Sequence, residues 1–198
     1  MKSVSIEKAK NIVSEYKIIC VTGKMAAGKN YICSQLEQEG WTSLDADIYV
    51  HNAIDLAQDK IFETFGPYAE KQNINIKRES DGKVDRRALG KLLFSIPDLL
   101  EIQENIVYAV ITKQIKDFIE QNQDKKIIIN ATLLFKTPEL MNLCQHILFV
   151  DAPFLTRLKR ARKRDGLSFT EIFKRFNTQK KLLRCYKKTG VGITVVSN

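Results

Sequence analysis

Between Gly23 and Asn30 the chain reads GKMAAGKN, a G-x-x-x-x-G-K pattern directly behind the apolar run Ile18-Ile19-Cys20-Val21. A glycine-rich turn of this spacing, set between a strand and a helix, offers consecutive backbone N–H groups to phosphate oxygens, and its Lys reaches the outer phosphates. The following YICSQLEQEG is helix-like, so the positive end of a helix dipole falls on the same spot. Gly23, Lys24, Met25, Ala26, Ala27, Gly28, Lys29, Asn30 and Tyr31 are thus the expected cradle of a nucleoside triphosphate. Asn30 stands where Ser or Thr normally binds magnesium. Its amide oxygen is a candidate metal ligand, while Asn near a helix start also has a purely structural use.

Eighteen residues after Lys29, the triplet Asp45-Ala46-Asp47 closes a short apolar segment, Trp41–Leu44. Two carboxylates at the carboxyl end of a strand can hold hydrated magnesium and accept a proton from an attacking hydroxyl; either can instead cap the next helix. The late segment from Arg157 to Lys188 is dense in Lys and Arg. Arg160 and Arg164 are four apart and share a helix face with Arg157. Surface ion pairing is one reading of them, and neutralisation of phosphates under a closing lid is the other.

These residues need elements to hold them. Strands are expected at Tyr16–Thr22, Trp41–Leu44, Ile127–Asn130, His146–Val150 and Gly192–Val196, with helices between them. A helical middle runs from Ile48 to Glu120, interrupted by turn signals at Gly66-Pro67, Asp81-Gly82 and Pro97. A basic helix follows Pro153, then a turn over 165–168, then a second helix for which Ser168 and Glu171 form a capping box. Residues 1–15 form an N-terminal extension with a short amphipathic helix, either packed on the sheet edge or mobile. Alternating strands and helices imply an α/β fold, a parallel sheet covered on both faces, with ligands beyond the strands' carboxyl ends.

Composition bounds the function. At 198 residues and 44% hydrophobic content the chain can bury one good core and a small appended region. No apolar run approaches the roughly 20 residues that cross a bilayer, so no membrane partner is expected. The start is basic but lacks the apolar centre of a secretory signal. Cys20, Cys33, Cys144 and Cys185 are widely spaced, which suggests reduced thiols in a cytoplasmic protein and neither a zinc site nor a disulfide framework. The net charge of +9 suits anionic ligands, but no nucleic-acid motif accompanies it.

Taken together, these motifs resemble dephospho-coenzyme A kinase over nearly the whole chain after Tyr16. Beyond the phosphate loop and the Asp triplet, the resemblance rests on Phe65-Gly66, the run Asp81-Gly82-Lys83-Val84-Asp85-Arg86-Arg87-Ala88-Leu89, and Leu133-Leu134-Phe135. It continues through Val150-Asp151-Ala152-Pro153, Arg160, Arg164 to Ser168, Arg175 with Gln179, and Val195 to Asn198. The resemblance implies a P-loop NTPase fold of three α/β/α layers, with a core at 16–53, 121–152 and 180–198, a helical substrate-binding region at 54–120 and a helical lid at 153–179. It implies phosphorylation of the ribose 3′-hydroxyl of dephospho-coenzyme A by ATP with magnesium, the last step of coenzyme A biosynthesis.

Carried over residue by residue, the resemblance makes Asp47, Lys29 and Arg164 catalytic. As candidate metal residues, Asp45 supports Asp47 or orients a magnesium-bound water, and Asn30, a departure from the pattern, can offer its amide oxygen to magnesium. Arg160, Arg164 and Asn198 join the ATP site. Asp47, His51, Arg86, Tyr108, Leu133, Leu134, Phe135 and Arg175 face the substrate. The chain departs from the family pattern at several places. Tyr108-Ala109 replaces a His-Pro pair, Thr132 a Pro, Lys136 a Glu and His51 an Arg, while Arg157 stands where the family usually differs. Family members often continue past the terminal Asn with a Gly and a helix, so the chain is either short or truncated at Asn198. The alternatives are another P-loop nucleoside or nucleotide kinase and a weakened nucleotide-binding module.

Overall fold

The computed structural model describes residues 3–166 and 168–198, except the side chains of Val50 and His51. The chain forms two compact units, residues 47–117 and the remainder. The larger unit is built on five parallel strands, β1 (Ile18–Gly23), β2 (Trp41–Asp45), β3 (Lys126–Asn130), β4 (His146–Asp151) and β5 (Gly192–Ser197), in the order β2-β3-β1-β4-β5. Each runs within one or two residues of its sequence expectation.

Alternation along these strands feeds two cores, as the two-residue period requires. Ile19, Val21, Ile128, Leu148, Val150 and Val196 pack with α1 (Ile6–Val13) and α2 (Lys29–Glu37) through Ala9, Val13, Ile32 and Leu36. Phe149 instead meets the ring of Tyr186 on α10 (Leu182–Lys187). Tyr186 is fully buried, and its hydroxyl is placed among the Leu134 N–H (3.0 Å) and the carbonyls of Ala131 (3.4 Å) and Thr132 (3.2 Å). That hydroxyl ties α10 to the chain leaving β3. The three layers therefore follow from which face each apolar residue takes.

The N-terminal segment packs on the sheet. Val4 pairs in parallel with Val196: its N–H donates to the Val195 carbonyl (2.9 Å) and its carbonyl accepts from the Ser197 N–H (3.0 Å). The exposed edge of β5 is thereby partly covered. The lid-like pair, α8 (Phe154–Asp165) and α9 (Phe169–Thr178), joins this unit through Ala161, Ile172 and Phe176, with Met25 and Ala26 against them. The Ser168–Glu171 capping box is present in both directions. Leu167, within the turn expected at 165–168, lies outside the described residues. A short 3-10 turn at Leu134–Lys136 and helix α7 (Pro138–Met141), like α10, were not among the expected elements; each is too short to show a helical period.

The second unit holds most of α3 (Ala46–Leu56) and α6 (Pro97–Gln121), with α4 (Gln58–Lys71) and α5 (Arg86–Ser95). Its core is Ile61, Phe65, Leu89, Leu92 and Leu99. The turn at Asp81-Gly82 forms, Gly82 adopting φ 69° between the paired Lys77 and Val84, and Pro97 opens α6. The interruption expected at Gly66-Pro67 does not form, because α4 runs through it. Ile61, Phe65 and Ala69 bury one face of that helix, while Pro67 sits exposed near its end. One carbonyl loses its helical donor there and can be hydrated, a smaller penalty than exposing Phe65.

His146 opens β4 inside the sheet, between β1 and β5. It is nearly buried, stacked on Tyr16 (centroids 5.1 Å apart), and its Nε2 lies 2.9 Å from Thr194 Oγ1. Burial lowers its pKa below 6.5. The unfolded chain therefore binds a proton before the folded one does. Stability should fall as pH drops below 6.5, with a slope of at most about 1.4 kcal/mol per pH unit, and level off below the folded pKa. Thermal melts from about pH 5 to pH 8 should show that this acid-side loss is reduced in His146→Gln.

Candidate functional site

The loop after β1 is held by contacts from four distant segments. Gly23 lies so close to β4 that a Cβ would fall on the Val150 carbonyl oxygen. Gly28 adopts φ 101°, and a Cβ there would overlap the Asn198 amide nitrogen. That nitrogen donates to the Ala27 carbonyl (2.8 Å), which also accepts from Arg160 Nη1 (3.3 Å). The Met25 N–H donates to Gln179 Oε1 (2.6 Å). Lys24 pairs with Asp151 at the end of β4 (3.4 Å). The turn is thus bound from outside by side chains, leaving its concave side to a ligand.

That concave side is a cavity of about 520 Å³ lined by Lys24, Ala26, Ala27, Gly28, Lys29, Asn30, Arg160, Lys163 and Arg164. The phosphate loop, Asn30, Arg160 and Arg164 are therefore brought together. Five of the lining side chains are cations, and a polyanion is the ligand that would relieve their mutual repulsion. Arg164 is mostly exposed and engages Asp165 with two nitrogens (2.7 and 3.0 Å), which holds its guanidinium in the charged state and the Asp165 carboxyl low. Arg157 does not join the lining among the described residues. It is 7% exposed, stacked over the Phe176 ring at 4.4 Å, and burial lowers its pKa while Asp151 opposes that shift. Although it is on the same helix, its neighbours make it part of the packing between α8 and α9.

Two bonds reach the loop from the end of β3. The Asn130 amide nitrogen donates to Asn30 Oδ1 (3.0 Å), and Lys29 Nζ donates to Thr132 Oγ1 (2.9 Å). Asn130 is 4% exposed, and its Oδ1 has no hydrogen-bond partner among the described residues. Asp45 ends β2 in register with Asn130. Asp47 is exposed in the first turn of α3, in the second unit.

The other expected site residues are scattered. Tyr31 is half exposed on α2 and Leu133 is 44% exposed. Leu134 is buried, whereas Phe135 lines a separate cavity of about 380 Å³ with Pro138, Met141 and Cys185. Arg175 is exposed on α9, close enough to Asp165 to help lower its carboxyl. In the second unit Arg86 pairs with Asp55 (3.0 Å) and Tyr108 is half-buried on α6. The side chain of His51 lies outside the described residues. Sequence reading missed Asn130, Lys163 and the Gln179 bond to the loop. Of these only Gln179 carried a signal, its place in the lid-like segment.

The model of the family described as dephospho-CoA kinase matches residues 17–193. The chain belongs to that family. It is 33% identical over 189 residues to a dephospho-CoA kinase of Treponema denticola, covering 93% of this chain and 83% of that protein. It is 34% identical over 166 residues to one of Treponema pallidum, covering 82% and 78%. A crystal structure of TT1252 from Thermus thermophilus superimposes with a TM-score of 0.70 at 25% identity, over 91% of this chain and 87% of that one. The P-loop kinase fold that family membership leads one to expect is thus the one observed.

Gly28→Ala should cost about 2 kcal/mol, from left-handed strain plus displacement of Asn198. In a double-mutant cycle with Asn198→Ala, read by denaturant unfolding, the steric part should vanish and the strain remain.

Proposed function

We propose that the chain transfers the γ-phosphoryl group of ATP to the ribose 3′-hydroxyl of dephospho-coenzyme A, giving coenzyme A and ADP, in the cytoplasm. The observation that carries the reading is one cavity walled by the phosphate loop, Lys29, Arg160 and Arg164, in a chain of the dephospho-CoA kinase family. No helix among the described residues is long and apolar enough to cross a membrane.

The roles follow from what phosphoryl transfer needs: alignment, neutralised charge and excluded water. Lys29 and the loop N–H groups hold the β- and γ-phosphates. Arg160 is tied to the loop through Ala27, so it is the fixed cation of the lid. Arg164 exchanges Asp165 for phosphate oxygens as negative charge grows on them. Asp47 accepts the proton of the 3′-hydroxyl as its oxygen attacks the γ-phosphorus and the bond to the β-phosphate oxygen breaks. His51, Arg86, Tyr108, Leu133, Phe135 and Arg175 remain proposed acceptor contacts. For Leu134 the role is support of that segment from the core.

Magnesium fits the residues present. Asn130 Oδ1 is a buried oxygen without a described partner, the Asn30 amide lies beside it, and the Asp45 carboxylate is next to Asn130 in the sheet. These are hard oxygen ligands of the kind magnesium takes, directly or through its waters. When bound with ATP, the ion would neutralise charge on the β- and γ-phosphates.

The test is ADP release with ATP, magnesium and dephospho-coenzyme A. Lys29→Ala and Asp47→Asn should each lower turnover by about 100-fold or more. Arg164→Lys should lower it about ten-fold, because the ammonium keeps the charge but loses the planar fork. Wild-type turnover with a nucleoside acceptor, and none with dephospho-coenzyme A, would refute the substrate assignment.

A further inference from the structure

The Lys29 ammonium has a defined partner, Thr132 Oγ1 at 2.9 Å, from a strand end about a hundred residues away in sequence. Thr132 itself is firmly placed. Ala131 N–H donates to the Val21 carbonyl (3.1 Å) on the strand that carries the phosphate loop. The Thr132 carbonyl accepts from the Tyr186 hydroxyl at 3.2 Å, with the Thr22 hydroxyl at 3.5 Å. The residue that grips the lysine is thus tied to the loop's own strand and to α10.

A lysine in this cavity needs such a grip. Lys24, Arg160, Lys163 and Arg164 line the same space; Asp151 and Asp165 offset the charge of Lys24 and Arg164, and the remaining positive charge acts against a flexible ammonium there. A charge-assisted bond to a neutral hydroxyl opposes that displacement without neutralising the cation. Lys carries three donors, so one bond to Thr132 leaves two for phosphate oxygens.

We infer that Thr132 is a positioning residue for Lys29, holding the ammonium in the phosphate site before nucleotide arrives and so raising affinity for ATP. The inference rests on the nucleotide reading of this cavity. The hydroxyl lowers the ordering cost of binding and its effect falls on the nucleotide, not on the acceptor.

The experiment compares wild type, Thr132→Val, Thr132→Ser, Lys29→Ala and the Lys29→Ala/Thr132→Val double variant. Readouts are equilibrium titration with a non-hydrolysable ATP analogue, KM for ATP and for dephospho-coenzyme A, and thermal melts. Thr132→Val should weaken the analogue and raise KM for ATP about five- to ten-fold, the scale of one charge-assisted bond. KM for the acceptor and the melting temperature should hold. Thr132→Ser should return affinity to within about two-fold of wild type, and Thr132→Val should add nothing in the Lys29→Ala background. Thr132→Ala removes the same hydroxyl and takes the place of Thr132→Val if the isostere perturbs folding. Equal or tighter analogue binding by the variant lacking the hydroxyl overturns the inference, as does a serine variant as weak as the valine one. A wild-type chain that binds no analogue overturns the nucleotide reading itself, a result distinct from either.

Discussion

A phosphate loop binds through backbone N–H groups, and backbone alone cannot hold itself open in water. The rest of the larger unit is arranged around that constraint. The Ala27 carbonyl is the fixed point: it accepts from Asn198 at the end of β5 and from Arg160 on α8. With the Met25–Gln179 bond, the last strand and both lid-like helices are attached to one turn of eight residues. Gly28 is required because its left-handed backbone lies beneath Asn198, where any Cβ would collide. The parallel sheet matters for the same reason, since it brings the carboxyl ends of β1, β3, β4 and β5 to one edge.

Electrostatics then divides the basic residues by task, which their count alone does not. Arg160 is bound to the loop and Arg164 to Asp165, whereas Arg157 is buried on Phe176 and serves packing. A guanidinium held by a neighbouring carboxylate keeps its charge and can exchange that partner for a phosphate. A guanidinium over an aromatic ring is a poor candidate for the same exchange, because withdrawing it would uncover the packing between α8 and α9. Three arginines on one helix therefore do different physical work according to whether their neighbour is a carbonyl, a carboxylate or a ring.

What the sequence made legible was local or periodic. Strands such as Ile127–Asn130 are short, β-branched and apolar, and the glycines of the loop stand at fixed offsets. The capping box at Ser168 is a three-residue rule that needs no tertiary information. The failures have the opposite character. Pro67 reads as a breaker, yet the burial of Phe65 on the neighbouring turn decides the helix. Helix α10 is too short for a period, and its decisive residue, Tyr186, is explained only by carbonyls more than fifty residues earlier. Val4 gave no sign of its pairing with Val196.

The site shows the same boundary between local and non-local information. Read singly, Asn30 is a lost hydroxyl in the phosphate-loop pattern and Thr132 only a departure from the family the chain resembles, so both read as weakening a phosphate site. In the fold both sit against the end of β3: Asn30 meets Asn130, and Thr132 meets Lys29. An amide at position 30 is longer than a hydroxyl and would crowd an ordinary partner, but another amide supplies a donor for its oxygen while keeping an oxygen of its own in the site. A hydroxyl at position 132 gives the loop lysine a neutral acceptor among cations. Two positions that depart from a motif are then one rearranged contact surface, and their meaning lies in the residues a hundred positions away that complete them.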